Sequence, residues 1–321
     1  MRVFRGMGEI PAGFGPSVAS VGNFDGVHRG HRRILDAVKS AARTASAQAV
    51  AVTFEPHPLR LLKPESAPER LTPIEEKLRL LGEAGMDAVV VFPFDETLSR
   101  MSAREFVERL LVERLGVREL HEGTNFRCGY RAEAGVEELA VLGRRIGFGV
   151  VAHAPVVVHG QIVSSSAIRE RLRAGAVNAT RWMLGRWFAV RSQPVRGRGI
   201  GGRLLAPTVN LAEYDGMLPA AGVYATRLAV GDGAERRWFE AVTNVGWRPT
   251  VGGPSFAVET HMLDFEPVEL TEETPLELEF RSWLRAEIRW PDVASLKAQI
   301  ERDVRRARRY FALARRLARE V

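Results

Sequence analysis

The segment from Ser17 to Arg43 constrains the fold of this 321-residue chain more than any other stretch. Ser17 to Val21 is an apolar run that reads as a buried strand. It leads into Val-Gly-Asn-Phe-Asp-Gly-Val-His-Arg-Gly-His at residues 21–31, and then into Arg32 to Arg43, where Ile34, Leu35, Ala37, Val38 and Ala41 recur at helical spacing. A strand, a glycine-punctuated turn with two histidines and a helix form an anion site in outline. Gly22, Gly26 and Gly30 let backbone approach a ligand closely. The helix N-terminus offers unpaired N–H groups and the positive end of its dipole. His28 and His31 can aim ring donors at the same oxygens. A glycine-rich turn taken alone also fits a purely structural role, so the rest of the chain has to be weighed.

Beyond this segment, short apolar strands alternate with helical stretches as far as residue 186. Val50 to Phe54, Ala88 to Phe92, the stretch entered at Glu119, and Val150 to Val158 read as strands. Ile74 to Glu83, Ala103 to Leu115 and Val136 to Arg145 read as helices, with starts marked by Thr72-Pro73 and by Ser102 three residues before Glu105. That alternation argues an α/β domain on a parallel sheet over residues 1–186. The texture then changes. Gly222 to Leu228, Trp238 to Val245, Phe256 to Leu263 and Leu276 to Trp290 are strand-like, separated by Asp215-Gly216 and Gly231-Asp232-Gly233. Residues 187–321 therefore read as a small antiparallel β-barrel closed by a helix from Ser295 to Arg319.

Bulk properties narrow the function classes. Hydrophobic residues make up 45% and charged residues 26%, and no apolar run approaches the roughly 20 residues that span a bilayer. No membrane association is expected, and the N-terminus lacks the apolar core of a signal peptide. Cys128 is the only cysteine, which excludes an intrachain disulfide and a cysteine metal cluster and fits a reducing cytoplasm. The net charge of +7 raises nucleic acid as a partner. Arginine, however, crowds into residues 302–319, around an apolar stripe of Leu296, Ile300, Val304, Ala307 and Phe311. That reads as a solvated helix face rather than a nucleic-acid surface.

Three further segments of the first domain carry chemistry. Thr53-Phe54-Glu55-Pro56-His57-Pro58 ends the second strand, where open α/β sheets bind ligands. Gly123-Thr124-Asn125-Phe126-Arg127-Cys128-Gly129 follows another strand. Ser164-Ser165-Ser166 opens a helix that carries Arg169 one turn on, so hydroxyls and a bidentate guanidinium could clamp phosphate oxygens. The barrel half has its own set: Gly197-Arg198-Gly199-Ile200-Gly201, then Pro207-Thr208-Val209-Asn210, then Asn244 to Thr250, then Val258-Glu259-Thr260-His261.

These motifs, in this order from Val3 to Phe311, resemble the bacterial bifunctional riboflavin kinase/FMN adenylyltransferases, also called FAD synthetases. The N-terminal string resembles the H-x-G-H element of Rossmann-like nucleotidyltransferases. The resemblance implies that Gly22, Asn23, Phe24, Asp25, Gly26, Ser164, Ser165, Ser166 and Arg169 bind ATP, with His28 and His31 acting on its phosphates. It implies that Phe54, Pro56, His57, Pro58, Asn125, Phe126 and Arg127 line the flavin pocket. Here Asn125 stands for the usual aspartate, Cys128 for an aromatic residue, and Arg131 lies slightly out of place. In the barrel it implies ATP binding by Gly197, Gly201 and Pro207, Mg²⁺ on Thr208 and Asn210, and Glu259 as the base for the riboflavin 5′-hydroxyl.

Two activities are thus expected. Riboflavin is phosphorylated by ATP to FMN, and FMN is adenylylated by a second ATP to FAD and pyrophosphate, both with Mg²⁺. In-line attack by an already anionic phosphate needs positioning and charge neutralisation rather than a protein nucleophile. The departures at Gly202 and Leu205, within the kinase motif, keep a second reading open, an FMN adenylyltransferase whose C-terminal module only binds flavin.

Overall fold

The protein, described as a computed structural model, falls into two compact units, Met1–Ser165 and Ser166–Val321. The structure describes residues 1–195, 208–250, 253–264, 268 and 270–319, without the side chains of 247–250, 253–256 and 319.

The first unit is built from β1 (Arg2–Arg5), β2 (Ser17–Val21), α1 (Arg29–Thr44), β3 (Gln48–Glu55), α2 (Pro58–Leu62), α3 (Ile74–Glu83), β4 (Ala88–Pro93), α4 (Glu96–Ser99) and α5 (Ala103–Glu105). There follow β5 (Val117–Gly123), the two-residue strands β6 (Arg127–Cys128) and β7 (Ala134–Gly135), α6 (Val136–Ile146), β8 (Gly149–His153), β9 (Val157–Val158) and β10 (Gln161–Ile162). Six strands form one sheet in the order β1-β4-β3-β2-β5-β8, with every neighbouring pair parallel. Both faces are covered, which is why its central strands are apolar throughout rather than alternating. Leu35, Val38 and Ala42 of α1 and Leu78 and Leu81 of α3 pack on Val18, Ala51, Val89 and Val91. On the opposite face Phe106, Leu110, Leu111 and Leu139 pack on Ala19, Val21, Val52, Val90 and Leu120.

The chain runs outward from β2 through β3 to β4 and then returns to place β5 on the other side of β2. The reversal leaves a crevice outside the carboxyl ends of β2 and β5, the place where such sheets bind ligands. Residues 22–31 and 124–129 emerge there.

Several expectations need correction. The run from Val150 to Val158 is two strands, because the chain leaves the sheet at Ala154-Pro155 and proline has no N–H to offer a ladder. The helix from Ala103 widens into a π-helix over Phe106–Arg114. Ser102 and Glu105 form the expected reciprocal cap, and α3 starts just after Thr72-Pro73 as expected, with Pro73 at its N-cap. The strand entered at Leu276 stops at Ala286, short of Trp290.

The second unit opens at Ser166 within α7 (Ser165–Arg173), which α8 (Val177–Leu184) follows. Its strands are β11 (Ala189–Ser192), β12 (Pro194–Val195), β13 (Thr208–Leu211), β14 (Gly222–Val230), β15 (Arg237–Thr250), β16 (Gly253–Met262) and β17 (Leu276–Ala286), and α9 (Val293–Arg319) ends it. The strands form one curled antiparallel half-barrel sheet in the order β11-β17-β14-β15-β16-β13-β12. Its inner face is the core, with Tyr224, Leu228, Val245, Leu278 and Phe280 buried. Three threonine hydroxyls are buried among them. Thr226 Oγ1 lies 2.7 Å from Thr243 Oγ1, which lies 3.0 Å from Thr260 Oγ1. On the outer face Ala307 and Phe311 of α9 pack on Val223, Ala225, Val242 and Leu284. Asp303, 1% exposed, pairs with Arg285 at 2.8 Å. The arginines at 302, 305, 306, 308 and 309 are exposed.

Candidate functional sites

The turn after β2 is held in a conformation that ordinary side chains resist. Phe24 and Val27 have φ of 46° and 35°, and Gly26 has φ of 84°. An aromatic and a β-branched residue in the left-handed region carry strain, and such strain collects at binding sites. Asp25 supplies the restraint. Its carboxylate accepts the Leu71 N–H at 3.0 Å, the Thr72 N–H at 3.1 Å and the Thr72 hydroxyl at 3.3 Å. Thr72 Oγ1 in turn accepts the Gly26 N–H at 3.2 Å. The Asp25 side chain therefore staples the turn to the chain ahead of α3. Lys77, 6% exposed, lies among Asp25, Glu55 and Arg70. Burial pushes its ammonium below the ordinary lysine range, and the Asp25 and Glu55 carboxylates oppose that shift.

His28 caps α1, and its Nδ1 accepts the His31 N–H at 3.3 Å. A proton on the neutral ring then belongs on Nε2. The His28 and His31 rings stack with centroids 3.6 Å apart and planes 12° apart. Gly30 permits this, since a Cβ there would lie 3.0 Å from His28 Cε1. The Phe24 ring packs edge-on to His31 at 5.3 Å. Two imidazoles and the first N–H groups of α1 thus gather at one helix end, an arrangement that can hold an anion. The serine run joins it: Ser165 Oγ donates to the Asp25 carbonyl at 2.8 Å, and Ser164 is half-buried just before it. Ser166 and the buried Arg169 follow on α7, with Arg169 one turn beyond Ser165.

The flavin-pocket expectations fall on two segments that leave the same edge of the sheet. Phe54 ends β3 and packs edge-on to Phe94 at 5.7 Å. Pro56 follows, His57 caps α2 by accepting the Leu59 N–H at 3.2 Å, and Pro58 opens that helix. Beyond β5 the chain turns, with the Phe126 N–H on the Gly123 carbonyl at 2.9 Å. Phe126 and Cys128 pack against the core that contains Phe92 and Phe106, and Asn125 is exposed at the turn. Arg127 folds onto its own hairpin, donating to the Ala132 carbonyl at 2.7 Å. Burial, with the Glu122 and Glu133 carboxylates, pushes the Cys128 thiol up to about 12, so it is not a nucleophile.

In the second unit the ladder itself assembles the candidate residues. β13 and β16 pair with Asn210 opposite Glu259 and Thr208 opposite His261. β15 lies on the other side of β16 with Asn244 opposite Glu259. Side chains alternate along a strand, so Thr208, Asn210, Glu259, His261 and Asn244 share one face, opposite the buried threonines. Hydroxyl, amide and carboxylate oxygens on that face are hard donors suited to Mg²⁺. Among the described residues no cluster of three or more histidine, cysteine or acidic side chains could hold a metal. Burial pushes the His261 imidazole below the ordinary histidine range. Gly197, Gly201, Gly202, Leu205 and Pro207 lie outside the described residues. Sequence reasoning gave His261, Asn244 and Glu122 no role. Asn244 and His261 stand inside quoted motifs, but only the register puts them beside Glu259.

Comparison with known proteins bears on both halves. A model of the FAD synthetase family matches residues 12–167, and a model of the riboflavin kinase family matches residues 184–311. The bifunctional riboflavin kinase/FMN adenylyltransferase of Escherichia coli (strain K12) is 35% identical over 93% of this chain and 94% of its own. The chain belongs to that family. The relative from Pseudomonas fluorescens is also 35% identical, over 96% of this chain and 97% of its own, and that from Haemophilus influenzae is 30% identical over 97% and 99%. A solved structure titled as a macrolide-efflux protein from Streptococcus pneumoniae shares the fold, with a TM-score of 0.83 at 22% identity, covering 96% of this chain and 99% of that one. The FAD synthetase match contains the stacked histidines and the serine pair 164–165. The riboflavin kinase match contains Thr208, Asn210 and Glu259. No helix among the described residues is long and apolar enough to cross a membrane.

Proposed function

We propose that this chain makes FAD in two steps, phosphorylating riboflavin with ATP in its C-terminal part and adenylylating the resulting FMN in its N-terminal part, with a functional boundary near Arg186. The supporting observation is that each compact unit gathers its own candidate set: the His28–His31 stack on the α1 N-terminus in one, and Asn210 opposite Glu259 in the other.

In the first reaction Glu259 takes the proton of the riboflavin 5′-hydroxyl as that oxygen attacks the γ-phosphorus of ATP, and ADP leaves. Thr208 and Asn210 would hold Mg²⁺, which when bound offsets the charge of the nucleotide phosphates. In the second, a phosphate oxygen of FMN attacks the α-phosphorus of ATP, forming the new P–O–P bond and expelling pyrophosphate. His28, His31 and Ser164 bear on the spreading negative charge, so their work is positioning and charge neutralisation. Gly22 to Gly26 bring backbone to the nucleotide, and Asp25 serves by fixing that turn. Phe54, the 56–58 segment and the 125–127 turn surround the flavin. The single cysteine fits a reducing, cytoplasmic setting.

Incubating the protein with riboflavin, ATP and Mg²⁺ and resolving the flavins by chromatography tests this reading. FMN should appear first and FAD after it. FAD formed from supplied FMN, with no FMN formed from riboflavin, would instead support the adenylyltransferase-only reading that Gly202 and Leu205 motivate. A fragment from Arg186 to Val321 should be soluble and melt cooperatively, whereas aggregation of it beside a well-behaved full chain would refute the boundary.

A further inference from the structure

Glu122 is a buried ionisable side chain that neither reaction above uses. It stands at the carboxyl end of β5, 2% exposed. Its Oε1 accepts the Val21 N–H at 2.6 Å, at the last residue of β2 before the strained turn. Among the described residues its carboxyl makes no other hydrogen bond. Alternation along β5 puts Glu122 on the same face as Leu120, toward the core against which Phe54, Phe126 and Cys128 pack. A carboxyl in such a place is costly unless something pairs with it.

We propose that Glu122 is a specificity-determining contact of the flavin site, its carboxyl pairing with the hydrogen-bonding edge of the isoalloxazine ring. The inference rests on the reading that this unit binds FMN. That edge presents carbonyl acceptors beside an N–H donor, and a protonated carboxyl offers one donor and one acceptor side by side. Burial pushes the Glu122 carboxyl well above the ordinary glutamate range, with the Val21 N–H opposing, so its site favours the protonated form. The Cys128 thiol of β6 lies close enough for the Glu122 carboxyl to act on it, and is itself held neutral. Val21, Phe106 and Leu110 belong to the core on that face of the sheet, none of them charged.

The test is the kinetics of FMN adenylylation by the full chain, with KM for FMN, KM for ATP and kcat followed from neutral to alkaline pH. Glu122→Val should raise KM for FMN about tenfold, the equivalent of one net hydrogen bond, without raising KM for ATP. In the parent, KM for FMN should climb as rising pH ionises Glu122 and removes its donor. Glu122→Gln, which keeps the shape and cannot ionise, should abolish that climb, and it serves as the readout if Glu122→Val does not fold. Parent-like KM for FMN in Glu122→Val, or a climb with pH that survives in Glu122→Gln, overturns the proposal. So does a matched rise in KM for both substrates, which would reduce Glu122 to a support for Val21 and the turn. A parent that adenylylates no FMN at all would mean the flavin reading of the unit had failed, a result distinct from any of these.

Discussion

Replacing Thr243 by valine should destabilise the second unit out of proportion to the single oxygen removed. Thr243 is the middle member of the buried chain Thr226–Thr243–Thr260, all three fully buried, with oxygens 2.7 and 3.0 Å apart. Valine keeps the branched shape, so no cavity opens. What is lost is two hydrogen bonds, leaving the flanking hydroxyls short of a partner in a site without solvent. A net hydrogen bond is worth about 1 kcal/mol and a stranded buried group costs about 1–3 kcal/mol, so Thr243→Val should cost about 2–4 kcal/mol. The triple replacement of Thr226, Thr243 and Thr260 by valine removes every member at once and should cost less than Thr243→Val alone, a strongly non-additive result. The chain carries its own probe. All six tryptophans, Trp182, Trp187, Trp238, Trp247, Trp283 and Trp290, lie after residue 165, so tryptophan fluorescence during urea unfolding follows this unit selectively. For a unit of this size the single variant should also lower the midpoint temperature by about 2–4 °C per kcal/mol. A neutral Thr243→Val, or a triple variant that loses the sum of three single losses, would refute the reasoning. The chain matters for function because Thr243 and Thr260 adjoin Asn244 and Glu259, so it pins the register that aligns them.

Other outcomes follow from the remaining geometry. His31→Ala removes one ring of the stacked pair and should cost roughly 2–4 kcal/mol of transition-state stabilisation, so FMN should accumulate while FAD formation nearly stops; normal FAD output would remove the assignment. Glu259→Gln should slow riboflavin phosphorylation by about 10²- to 10⁴-fold and leave adenylylation of supplied FMN intact, since a folding defect would lower both. Because the folded protein holds Glu122 protonated and the unfolded chain does not, the unfolded state binds fewer protons once pH passes the ordinary glutamate value. Stability of the first unit should then fall as pH rises from that value toward the raised one, and Glu122→Gln should flatten that slope in paired denaturation curves.

Much of the fold is legible from periodicity. β2, α3 and the start of β4 fall where the apolar spacing puts them, because long buried runs and clear helical stripes leave few alternatives. β1 escapes, since four residues with two arginines look polar, yet Val3 and Phe4 complete the edge beside β4. The π-helical stretch escapes because Leu110 and Leu111 pack equally well on an α-helical pattern. At the sites, residue types are visible and their jobs only partly so. Asp25 reads as a ligand in the motif, but its carboxylate is engaged by Leu71 and Thr72, 46 and 47 residues away. Glu122 stands in none of the motifs, and no local pattern reveals that the sheet buries it. Register is likewise invisible, and it alone brings Asn210, Glu259 and Asn244 into line.

The lone cysteine turns this molecule into its own two-channel instrument. Cys128 is the chain's only thiol, and burial holds it un-ionised up to about 12. The thiolate is therefore scarce at neutral pH, and alkylation should quicken when the hairpin around β6 opens. With every indole in one unit and the single sulfhydryl in the other, labelling rate and fluorescence clock the two halves separately in one untagged sample. Adding FMN or ATP to that sample would show which half each ligand closes, before any product is made.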